Sequence, residues 1–128
     1  MRFLLDTHVW LWLLGDVDRL PADVVAALLD ADELVLSAAS VWEVAIKHGL
    51  GKLPLPVPLV ELVSTSYGGA GMRPLPVEAR HAVAVGDLPG LHRDPFDRLL
   101  VAQTRVEGLT LVTTDPHVQA YDVSVLAV

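Results

Sequence analysis

Apolar residues fall along this chain in short blocks of two kinds. Phe3-Leu4-Leu5, Leu34-Val35-Leu36 and the run 109–113 are apolar almost throughout, the pattern of strands buried on both faces. Between them the apolar positions recur at three- and four-residue spacing. Val24, Val25, Leu28 and Leu29 make such a stripe in 21–31, where Pro21 suits a first helical turn. The same reasoning predicts helices over 9–14, 40–48, 59–66, 77–85 and 95–107. In the last of these Phe96, Leu99, Leu100, Gln103 and Val106 share one side. Gly15, Gly49 and Gly108 follow three of these helices as stop signals. A short helix over 116–120 and a strand over 123–126 complete the chain. Residues 72–75 form a weaker strand candidate because Pro74 cannot donate to a ladder. Residues 49–58 read as a Gly/Pro-rich connector and 86–94 as a loop.

Apolar strands alternating with helices predict an α/β fold, a central parallel sheet of four to five strands with helices on both faces. No repeat or long linker divides the 128 residues, so one domain is expected over 1–128. In such folds ligands bind beyond the carboxyl ends of the strands, so the polar residues at those ends are the ones to examine.

Composition narrows the classes. Hydrophobic residues make up 52% and charged residues 20%, enough apolar material for a full core. The absence of cysteine excludes disulfides and thiolate metal sites and fits a reducing cytoplasm. The first apolar stretch, 3–14, contains Asp6 and His8 and is too short to span a membrane. A net charge of −7 argues against a simple nucleic-acid binder, which needs a basic face. It is compatible with a site where clustered acids hold cations that meet a phosphate. The five histidines have no zinc-motif spacing and read as surface or core-edge residues.

Four acids stand where strands end or helices begin. Asp6 ends the first strand and Asp115 follows the strand over 109–113. Glu43 and Asp97 each lie about one turn into a predicted helix. If the strands are neighbours, these carboxylates converge, and a divalent cation would offset their repulsion and burial. Hard oxygen donors suit Mg²⁺ or Mn²⁺, and such ions activate water and stabilise charge on a phosphodiester. Each residue also has a plainer reading. Ser40-Val41-Trp42-Glu43 matches a capping box. Asp94-Pro95-Phe96-Asp97 and Asp115-Pro116 match a cap followed by a first-turn proline. Asp94 is read as a cap only.

Four blocks resemble the PIN-domain ribonucleases, specifically the VapC-type toxins of bacterial and archaeal toxin–antitoxin pairs. They are LLDTHVWLW at 4–12, SAASVWEVAIKHGLGKL at 37–53, HRDPFDRLLVAQ at 92–103 and LVTTDPHV at 111–118. They run in the family's order from end to end, and 54–89 holds no motif. The resemblance implies metal ligation by Asp6, Glu43 and Asp97, with Asp115 completing the set. It places the hydroxyls of Thr7 and Thr113 beside the acids. It further implies Mg²⁺-dependent RNA cleavage, a homodimer and neutralisation by a small antitoxin protein.

On this reading Asp6 and Asp97 bind the principal ion, Glu43 shares it or orients water, and Asp115 serves a second ion or acts through water. Lys47, Lys52, Arg93 and Arg98 are the candidate phosphate contacts by proximity to the acidic blocks, although Arg98 could pair with Asp94. Trp10, Trp12 and Trp42 raise the question of base stacking. Trp10 and Trp42 lie among apolar neighbours and are expected in the core or a dimer face. Three other readings remain at this point. A DNA nuclease of the same type would use the same acids. A phospho-acceptor receiver domain would need a lysine where this chain has Thr113-Thr114-Asp115. A binding module with an inactive site would not need all four acids.

Overall fold

A computed structural model describes all 128 residues. In chain order the elements are β1 (Arg2–Leu5), α1 (Thr7–Gly15), a 3₁₀ turn (Val17–Arg19), α2 (Ala22–Leu29), β2 (Glu33–Ser37), α3 (Ala38–Gly49), α4 (Leu59–Tyr67), β3 (Arg73–Leu75), α5 (Ala79–Val85), α6 (Pro95–Glu107), β4 (Thr110–Thr113), α7 (Pro116–Gln119) and β5 (Val125–Ala127). The five strands form one sheet in the order β3-β2-β1-β4-β5, and all four pairings are parallel. The chain therefore winds outward from β1 in one direction, then returns to build β4 and β5 on its other side. That reversal leaves a crevice at the carboxyl ends of β1 and β4.

The pleat decides which core each residue joins. Phe3, Leu5, Leu36 and Val112 pack with Val9 and Trp10 of α1, Val24 and Leu28 of α2 and Leu62 of α4. Leu4, Val35 and Leu111 point the other way and pack with Leu100 and Val101 of α6 and Val118 of α7. This alternation is what turns a continuously apolar strand into the middle layer of three. Helix α3 packs on both α1 and α6 and so joins the two sides above the sheet edge. No helix is long and apolar enough to cross a membrane.

Several boundaries differ from the sequence-based expectation, each for a local reason. Pro74 does lie in a strand, but β3 is an edge with a single neighbour, so its missing N–H breaks no second ladder. The last strand begins at Val125 rather than 123, because register with β4 pairs Leu111 with Val125. Helix α3 begins at Ala38, with the Ser37 hydroxyl accepting from the Ala39 N–H at 3.0 Å. The predicted capping box of Ser40 and Glu43 is thus incorrect. Ser40 sits inside the helix with its hydroxyl unpaired, and Glu43 is free for other contacts. Helix α6 ends as expected at Gly108, whose φ of 65° is the left-handed conformation that glycine adopts without a Cβ clash.

Candidate metal centre

The crevice is built from four separate elements. Asp6 sits immediately after β1, and its N–H donates to the Val112 carbonyl at 3.0 Å, which continues the ladder and fixes it over the end of β4. Thr113 then donates its hydroxyl to Asp6 Oδ2 at 2.5 Å and accepts from the Asp115 N–H at 3.1 Å. From α1, Thr7 donates its hydroxyl to Glu43 Oε1 at 2.7 Å, across the gap to α3. The other Glu43 oxygen meets the Lys47 ammonium one turn further along α3. Asp97 enters from the first turn of α6, where Asp94 caps the helix by accepting from the N–H groups of Phe96 and Asp97. Asp115 accepts from the His117 N–H at 2.8 Å and so caps α7 while also lining the cleft.

All four acids singled out in the sequence line one cleft of about 380 Å³, together with His8, Trp12, Lys47, His92, Asp94 and Thr114. Asp6 and Glu43 are buried at 6% and 3% exposure, while Asp97 and Asp115 are open to the cleft. Thr7 and Thr113 each hold one of the buried carboxylates, Glu43 and Asp6 respectively. Among the proposed phosphate contacts, only Lys47 lines the cleft. Arg93 lies beside it, in a shallow depression with His92 and His117. Lys52 is exposed on the connector.

Arg98 corrects the expectation. Its guanidinium donates to the carbonyls of Val85, Pro89 and His92 at 3.0–3.4 Å and to the Tyr121 hydroxyl at 3.2 Å. It therefore organises the 86–94 loop, pairs with neither Asp94 nor the cleft, and has both terminal nitrogens already engaged. A planar five-donor group suits such a task, and periodicity could not reveal it because the acceptors belong to a loop.

The residue the sequence reasoning passed over is His92. Its Nε2 lies 2.9 Å from Asp115 Oδ2 and 3.0 Å from Asp97 Oδ2. Its Nδ1 accepts from the Asp94 N–H at 3.1 Å, so Nε2 carries the proton and is shared between the two carboxylates. No spacing rule places it there. Its position within the block 92–103, two residues before the α6 cap, was the only available signal.

Protonation follows from this arrangement. Burial pushes the Asp97 carboxyl up to about 7, and the charges of Asp6, Asp94 and Glu43 add to that. Burial also raises Asp6, against the Thr113 hydrogen bond. Asp115 moves the other way. Partial burial opposes its ionisation, but the hydrogen bonds from His92 and the His117 N–H outweigh it and hold its carboxyl below the usual range. His92 and Lys47 are each raised despite desolvation, by Asp115 and Glu43 respectively. Without a cation the site therefore offsets its excess negative charge by keeping a proton on Asp97 up to about pH 7.

Two groups of side chains bring potential ligand atoms together. One is His92, Asp97 and Asp115 in the cleft; the other is Glu78, His81 and Glu107. The second lies about ten residues from Asp97 along α6, roughly 15 Å away at a helical rise. There His81 Nδ1 accepts from the Glu78 N–H, which leaves the proton on Nε2, and Arg80 already bridges Glu78 and Glu107. That group is already bridged by an arginine, although the buried His81 Nε2 has no hydrogen-bond partner in it. The cleft instead offers five carboxylates, Asp94 among them as a helix cap, with one neighbouring lysine, a donor set that fits a hard divalent ion.

A PIN-domain family model matches residues 3–124. The chain belongs to the PIN-domain family. Ribonuclease VapC22 of Mycobacterium tuberculosis is 30% identical over 121 residues, covering 92% of this chain and 90% of the relative. Ribonuclease VapC16 of the same organism is 43% identical over 68 residues, and there the match spans 48% of the relative, about half its length. The PIN fold is also matched, at TM-score 0.74 and 15% identity, by a chain in the crystal structure of VapBC2 from Rickettsia felis bound to a promoter DNA fragment. That alignment covers 100% of this PIN-domain chain and 99% of the other.

Proposed function

We propose that this PIN-domain protein is a divalent-cation-dependent endoribonuclease and the toxin of a toxin–antitoxin pair. The observation that supports it above all is the convergence of Asp6, Glu43, Asp97 and Asp115 in one cleft at the reversal point of the sheet. Likeness to two proteins named ribonucleases supports RNA as the substrate.

In this reading Asp6 and Asp97 hold the principal ion, Mg²⁺ or Mn²⁺, and Glu43 and Asp115 complete its surroundings. The cation supplies charge neutralisation, activation of water and stabilisation of the phosphodiester as charge builds on it. Thr7 and Thr113 keep the buried carboxylates aimed. Lys47 offsets the charge of Glu43 and leaves a cationic rim for a phosphate. The His92 N–H lies between Asp97 and Asp115 and holds the two carboxylates together.

The partner is a small antitoxin protein, a reading supported by likeness to a chain from a VapBC complex. We also propose a homodimer. Trp42 is 59% exposed and meets Phe96 edge to face at 5.1 Å, beside an apolar depression that includes Val85 and Leu99. An aromatic surface of that kind fits a second copy better than it fits water.

The decisive experiment incubates the purified protein with RNA and DNA of one sequence, with EDTA, Mg²⁺ or Mn²⁺. RNA cleavage that requires metal, and is lost in Asp6→Asn and Asp97→Asn variants that remain folded, is the expected result. Preferential cleavage of DNA would move the assignment to a DNA nuclease. Full activity in either variant would remove that residue from the site.

A further inference from the structure

The three tryptophans have three different fates. Trp10 is fully buried, and its indole N–H donates to Ser66 at 2.9 Å. Trp42 lies on the apolar surface beside Phe96. Trp12 alone lines the acidic cleft. Its ring rests partly against the core cluster under α1, which holds it in place, and partly open at the rim. Asp6 and Trp12 are six residues apart, about 9 Å along the axis at a helical rise. His8, one turn before Trp12 on the same face, meets the indole edge-on with ring centroids 6.0 Å apart. The Arg19 guanidinium lies over the ring, 5.6 Å from the centroid, and is anchored to Asp16 at 2.8 Å.

We propose that Trp12 is a nucleobase-stacking platform at the rim of the acidic cleft, with Arg19 as its cationic flank. The reasoning starts from a shortage. The chain carries a net charge of −7, and the one lysine in the cleft is paired with Glu43. Phosphate contacts, the usual source of nucleic-acid affinity, are therefore few. Stacking on an aromatic face supplies affinity without positive charge and tolerates any base. A ring anchored on one side by the core has already lost its rotamer freedom, so a base gains the stacking without that cost. Arg19, exposed and now over the ring, swings off to admit the base and then lies over it or meets the adjoining phosphate; a guanidinium does either. The target must then be unpaired at that nucleotide, because a base within a duplex cannot reach the ring. The platform thus selects single-stranded segments or loops.

This inference rests on the ribonuclease reading, and the test separates the two. Cleavage of a short single-stranded RNA is followed for the wild type, Trp12→Ala, Trp12→Phe and Arg19→Ala, with a scan of single abasic nucleotides along the substrate. Trp12→Ala should raise KM about tenfold with kcat kept within about twofold, and Trp12→Phe should recover most of the loss. One abasic position should raise the wild-type KM by a similar factor and have little further effect on Trp12→Ala, since ring and base are then one interaction. Arg19→Ala should flatten the salt dependence of KM by about one charge. Unchanged KM in Trp12→Ala, or an abasic loss that simply adds to it, overturns the platform while leaving the nuclease intact. A loss in Trp12→Phe as large as in Trp12→Ala, with both folded, also overturns it, since that marks a packing role. Failure of the wild type to cleave any RNA overturns the underlying reading instead.

Discussion

Replacing Asp97 by Asn should stabilise the cation-free protein, although it removes a residue the chemistry needs. The side chain is nearly the same size, so the change amounts to deleting one ionisable group from a crowded cleft. Asp97 is raised from 3.8 to about 7, through burial first and then through Asp6, Asp94 and Glu43. At full weight, holding it ionised costs about 4 kcal/mol. Water in the open cleft reduces this to about 2 kcal/mol. The sign follows from linkage. Between pH ~4 and ~7 the folded form keeps a proton that the unfolded chain has released, so wild-type stability falls as pH rises through that window. In EDTA at pH 8 the variant should melt about 6–10 °C above the wild type, as expected for a chain of this length. By pH 4 the difference should vanish, because the wild-type carboxyl is then protonated as well. Adding Mn²⁺ at pH 8 should raise the wild-type midpoint and leave the variant nearly unmoved. Calorimetry across pH 4–8 measures all of this. A variant equally or less stable at pH 8 without metal, or a difference independent of pH, refutes the electrostatic account of the cleft.

Thr113→Val leaves the buried Asp6 carboxylate without its 2.5 Å donor and should cost about 1–3 kcal/mol in urea unfolding at neutral pH. Gln103→Leu removes the buried amide that accepts from the Ser37 hydroxyl and donates to the Pro76 carbonyl and towards His81 Nδ1, and should cost about 2–4 kcal/mol in the same assay. Arg98→Ala should release the 86–94 loop, seen as lost amide-exchange protection at Leu88 and His92 while β1 and β4 stay protected. Lys47→Ala should raise KM for RNA several-fold and reduce its salt dependence, because one cation leaves the rim.

What the sequence determined by itself was the layering and the order of the acids. Continuous apolar runs at Phe3–Leu5 and Leu34–Leu36 require cover on both faces, and helical stripes between them supply it, so a parallel α/β sheet follows from burial alone. The same logic put Asp6 and Asp115 at strand ends, because a charge cannot continue a buried strand. Tertiary structure decided which strands are neighbours. Only the order β3-β2-β1-β4-β5 sets Asp6 beside Thr113 and brings α3 within reach of Thr7, and strand order leaves no periodic trace. It also decided the roles that loops and caps assign. Ser37 rather than Ser40 capped α3, Arg98 turned to the carbonyls of its own loop, and His92 folded back between two carboxylates. Those outcomes depend on where an irregular backbone aims a side chain, which is set by contacts remote in sequence rather than by spacing.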